Sequence, residues 1–148
     1  FSVYIKNYSD VKLLLNGMYR GKLNSILSDT ITALQLTDCK VYRPYWNGPA
    51  SSLNELKQKI FENYSNNGSV TIIGYEYCKY GESDWYSHWT VICRATAKTL
   101  YTHDSSGESK RIYLSNCRIW DNKSRHKTKP YKLSSTDLFV LSRINGES

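Results

Sequence analysis

A chain of 148 residues that is 40% hydrophobic and 22% charged carries enough apolar material for one core, and lies far from the low-hydropathy, high-charge signature of disorder. Its formal charge of +7 and pI near 9.2 bring acidic partners into view, whether nucleic acid, an anionic surface or an acidic protein, without choosing among them. No apolar run approaches the roughly 20 residues needed to span a bilayer, so no membrane span is expected.

Aromatic residues reach 14%, with thirteen Tyr, and such side chains suit half-exposed strands and binding clefts. The four cysteines, Cys39, Cys78, Cys93 and Cys117, lie far apart with no C-x-x-C pair, so neither a zinc site nor any other cofactor is expected. Reduced thiols in the cytoplasm of a producing or target cell are the default. One domain over residues 1–148 is predicted, and the start at Phe1 reads as a domain cut from a longer polypeptide.

In chain order, Phe1 to Tyr8 alternates apolar and polar residues as a short strand does, and Asp10 to Tyr19 has Val11, Leu14, Leu15 and Met18 at helical spacing. From Leu23 to Leu36, Leu23, Ile26, Leu27, Ile31, Leu34 and Leu36 fall mostly on one helical face. The turn-rich Tyr42 to Ser52 ends in a capping box, Ser52 with Glu55, that opens a helix over Leu53 to Tyr64, stopped by Asn66-Asn67-Gly68. Strands are predicted at Val70–Tyr77, His88–Ala95, Thr99–His103, Lys110–Leu114 and Asp137–Ile144. Helices precede strands, which implies α+β with an antiparallel sheet. The basic run Lys123 to Lys132 reads as a solvated loop.

The chemically informative stretch is Ser87-His88-Trp89-Thr90-Val91-Ile92 followed by Thr99 to Gly107. A hairpin turning near Ala97-Lys98 would set His88 opposite Asp104, since antiparallel partners keep a constant sum of residue numbers. A carboxylate beside an imidazole fixes its tautomer and stabilises the imidazolium. The plainer alternative makes Asp104-Ser105-Ser106-Gly107 a turn and nothing more. Cys93, five residues along the same strand, points to the other face and is expected in the core. Cys39, Cys78 and Cys117 are small thiols at the ends of elements.

This pattern of a helix, an apolar strand, a small residue before His-Trp, and an Asp-Ser sixteen residues after the His resembles the papain-like cysteine peptidases of the bacteriocin leader-processing type, over roughly residues 20 to 115. The resemblance implies a papain-like α+β fold and a nucleophilic Cys opening the first core helix, where unpaired N–H groups favour thiolate and bind an oxyanion. Ser25 stands at that position, and no Gln precedes it to complete the oxyanion site. Both are departures, and a Ser hydroxyl there predicts an inert protein. The resemblance thus implies a catalytic set of Ser25, His88 and Asp104, and a thiol hydrolase, either peptidase or glutamine amidase/deamidase, of the kind found in toxin and effector domains. Its implied partners are a protein or peptide substrate and a cognate inhibitor or immunity protein.

A second reading makes the chain a basic nucleic-acid-directed toxin, with His88, His103 and His126 as acid and base beside Lys98, Lys110 or Lys127. A third is a binding module with an aromatic groove of Trp46, Trp85, Tyr86 and Trp89.

Overall fold

The computed structural model describes residues 19–64, 69–79, 81–104, 109–120 and 129–144. The strand predicted at Phe1–Tyr8 and nearly all of the helix predicted at Asp10–Tyr19 lie outside them. The described residues fall into two compact units, those of 19–41 with 141–144, and those of 42–140. Its class is α+β, as the helix-then-strand order implied.

In the first unit, helix α1 spans Arg20–Ala33 and buries Leu23, Ile26, Leu27 and Thr30, an i, i+3, i+4, i+7 stripe. It starts and ends three residues earlier than its apolar spacing suggested. Leu34 is 38% exposed and already belongs to the helix end. There Gln35 adopts a left-handed conformation (φ 53°), and Gln35 and Leu36 donate their amides to Thr32 and Ile31. This double bond pattern closes helices at a position that favours Gly, so Gln35 carries some backbone strain. Strand β1, Cys39–Tyr42, lies beside the end of the last strand, where Ile144 donates to the Asp38 carbonyl at 2.6 Å.

The second unit holds helix α2, Leu53–Tyr64, and strands β2 Val70–Tyr77, β3 Tyr86–Ala95, β4 Thr99–Asp104, β5 Ser109–Tyr113, β6 Cys117–Ile119 and β7 Tyr131–Arg143, the last reaching into the first unit. Ser52 caps α2, its hydroxyl accepting the Glu55 amide at 3.1 Å, while the Glu55 carboxylate accepts the Ser51 amide at 2.8 Å. The sheet runs β7-β2-β3-β4-β5, with antiparallel pairing from β2 through β5; β6 lies parallel to β7. Leu56 and Ile60 of α2 share a core with Ile73, Ile92, Leu100, Ile112, Leu133 and Leu138.

β3, β4 and β5 differ from their predicted bounds by one or two residues, and three strand readings change by more. β1 and β6 have only four and three residues, too few for an alternating pattern to show. β7 begins six residues before the predicted Asp137, because its polar start, Lys132 and Ser134 to Thr136, resembles a loop. The Ser134 hydroxyl accepts the amides of Thr136 and Asp137, giving this half of the strand a local backbone partner. Lys132 is therefore not part of a solvated run: it is 5% exposed, 3.8 Å from the Trp85 ring centroid and 3.7 Å from Glu76. Residues 123–128 of that run lie outside the described residues.

Candidate active site

β3 and β4 turn at Thr96 to Thr99, whose backbones bond at 2.9 Å, around the predicted Ala97-Lys98. The register is shifted from the predicted one. The turn sets the pairs Ala95↔Leu100 and Arg94↔Tyr101, a register that would bring Asp104 opposite Val91; Cys93 is an extra residue before Ile92↔Thr102, and it moves Asp104 by one, to Thr90, on the face of His88 but not opposite it. His88 lies two residues from Thr90 on the same face, as the two-residue period requires. The diagonal brings them together all the same: His88 Nε2 stands 3.3 Å from Asp104 Oδ2. The ring is not aimed along that line, so the contact is one of proximity and not an aligned hydrogen bond.

Asp104 is fully buried at its side chain, and two further groups make that tolerable. Thr90 donates its hydroxyl to Oδ1 at 2.6 Å, and the Lys110 ammonium of β5 lies 2.8 Å from Oδ2. Burial pushes the Asp104 carboxyl up, but the bonds from Lys110 and Thr90 and the nearness of His88 outweigh it and hold the group below its ordinary value. The result is a carboxylate that keeps its charge in a dry place.

A Tyr wall completes the site. Tyr75 pairs across strands with His88 and meets its ring edge-on at 5.7 Å between centroids; Tyr77, Tyr86 and Tyr131 continue the cluster. Burial, and then the charge of Asp104, push the Tyr75 phenol well above its ordinary value, so it remains a neutral donor. The His88 side chain keeps 31% of its surface exposed, so one edge of the imidazole reaches solvent while the other meets Asp104. Such a pair can take a proton from an attacking group and return it to a leaving one.

Ser25 has a different setting. It belongs to the first unit, in the second turn of α1 and not at its start, so its neighbourhood is not the helix opening that the resemblance implied. Its side chain is exposed, and the hydroxyl donates to the Gly21 carbonyl at 3.2 Å. Of the cysteines, Cys93 is exposed rather than in the core, because the bulge that it forms turns it out of the alternating pattern. Cys117 is buried, and burial pushes its thiol up to about 12, which makes it a poor nucleophile.

For the nucleic-acid reading, His103 pairs with Val91 and so lies on the sheet face opposite His88, its Nδ1 3.3 Å from the Ser109 hydroxyl. These two histidines do not form an acid-base pair; His126 and Lys127 lie outside the described residues. The aromatic groove is divided too. Trp46 and Trp89 both meet Phe139 edge-on, as packing residues, while Trp85 lies under Arg118 and Lys132.

Sequence reasoning missed Thr90 and Tyr75, and it named Lys110 only beside the histidines of the nucleic-acid reading, not as the partner of Asp104. Thr90 was within reach, being two residues after His88 on its face, whereas Lys110 and Tyr75 depend on register across strands. Among the described residues, no group of three or more His, Cys, Asp or Glu side chains could hold a metal ion, and no helix is long and apolar enough to cross a membrane. No family model, curated protein or solved structure matches the chain.

Proposed function

We propose that this chain is a papain-like hydrolase of peptide or amide bonds, acting on a protein or peptide substrate, in which His88 is general base and then general acid. The observation that carries this reading is the half-exposed His88 ring 3.3 Å from a buried, ion-paired Asp104. Nε2 is the ring atom nearest Asp104, so once the ring swings into line with the carboxylate Nδ1 is the atom that accepts the proton of the attacking group. The same proton then passes to the leaving nitrogen, and Asp104 holds the ring and offsets the positive charge in between. The finer fold reading rests on element order: an apolar strand after α2, a His early in the next strand and an Asp at the end of its hairpin partner. A toxin or effector role, with an inhibitor or immunity protein as counterpart, follows from the resemblance. Residue 25 enters as nucleophile through the resemblance alone.

The test is turnover of a fluorogenic peptide and amide panel by the chain and by Ser25→Cys, each with and without His88→Ala. Activity in Ser25→Cys should fall about 10²–10⁴-fold in kcat/KM with His88→Ala, the usual weight of a positioned base. Asp104→Ala should leave a measurable remainder. Equal and small effects of both would remove the acid-base pair from the mechanism, and no gain from Ser25→Cys would remove residue 25.

A further inference from the structure

On the sheet face away from α2, three cross-strand partners form a row: Arg94 of β3 faces Tyr101 of β4, which faces Arg111 of β5. Both guanidinium carbons lie over the Tyr101 ring, at 5.2 and 5.7 Å from its centroid. Both arginines are exposed, and neither has a carboxylate partner among the described residues. Exposed His103 and Tyr113 flank the row on the same face. The sequence has no Asp or Glu from Trp85 to His103 or from Ser109 to Trp120, so Asp104 is the one carboxylate on β3, β4 and β5, and Lys110 neutralises it on the other face.

An unpaired guanidinium held over an aromatic ring has lost part of its freedom already, and its planar fork suits phosphate oxygens. Strand spacing puts the two arginines about 10 Å apart at the backbone, across an exposed surface. We infer that this row is a docking surface for single-stranded nucleic acid, with phosphates on Arg94 and Arg111 and bases on the guanidinium planes and the rings of Tyr113 and His103. Basic groups interleaved with rings are what single strands require. Stacking on the rings of Tyr113 and His103 needs bases that are not already stacked within a duplex. An acidic protein partner would call for an apolar centre, and this row has charge there instead.

This inference does not depend on the hydrolase reading, and binding of a labelled oligothymidylate, followed by fluorescence anisotropy at about 50 and 200 mM salt, tests it. Arg94→Gln/Arg111→Gln should weaken binding about tenfold and flatten the salt slope by about 1.4, or 0.7 for each phosphate no longer neutralised. Lys40→Gln/Lys57→Gln removes the same charge elsewhere and should leave affinity within about twofold. His88→Ala should bind like the parent, which separates this surface from the proposed active site. The inference is overturned if the parent chain does not bind, if both double variants weaken binding equally, or if a poly-glutamate peptide displaces the oligonucleotide at equal or lower concentration.

Discussion

Asp104 shows how a single buried charge can be kept. A carboxylate removed from water is costly, and the cost is met here by a cation at Oδ2 and a hydroxyl at Oδ1. Removing either should therefore destabilise the fold as well as loosen His88. Breaking a fully buried pair costs about 3–5 kcal/mol; the Lys110 side chain keeps 35% of its surface exposed, so Lys110→Met should cost less, about 1–3 kcal/mol in urea unfolding. Lys110→Arg, which preserves the charge, should recover most of that loss. Thr90→Val leaves Oδ1 without its donor and should cost about 1.5–3 kcal/mol, the range for a bond to a charged group. A neutral Lys110→Met would mean that solvent screens Asp104 and that its burial is less complete than the contacts imply.

Elements with strong local signals were legible in the sequence, and those made by register were not. α2 and β2 follow from a capping box and an unbroken apolar run, and each has the bounds that were read for it. The nearness of His88 to Asp104 was also legible, from the hairpin, although the position of the turn and the bulge at Cys93 together make Thr90 the facing residue. Lys110 could not be found in this way, since its place depends on how β5 aligns with β4. Gly74 is a similar case. Nothing nearby in sequence demands a Gly, yet a Cβ there would lie 3.0 Å from the Asp137 Cβ and 3.4 Å from the Trp89 ring. Gly74→Ala should force β2 and β7 apart and cost about 1–3 kcal/mol, as overpacking does. Ser52→Ala, which removes only the helix cap, should cost about 1 kcal/mol without disturbing the sheet. Parallel thermal melts of the two variants would separate these effects, with Gly74→Ala also altering the near-ultraviolet signal of Trp89.

Charge acts on the molecule as a whole when pH is lowered. The chain carries +7 at neutrality, and protonation of its thirteen carboxylates raises that charge and the self-repulsion of the folded state. Most of that response is spread over the surface, but Asp104 adds a contribution with a definite sign. Its folded value lies below the ordinary 3.8, so the unfolded chain takes up the proton first as pH falls. The stabilisation is complete above 3.8 and disappears as pH drops through the lower, folded value. Asp104→Asn cannot contribute in this way. It should be less stable than the parent at pH 7, where it also deprives Lys110 of its partner, and the gap should narrow once the pH is below 3.8. Urea midpoints for both proteins, measured from neutrality into that acidic range, test this. A gap that stays constant would assign the acid sensitivity to surface repulsion alone, and a gap that widens would mean that Asp104 is protonated in the folded state, with its burial outweighing Lys110, Thr90 and His88.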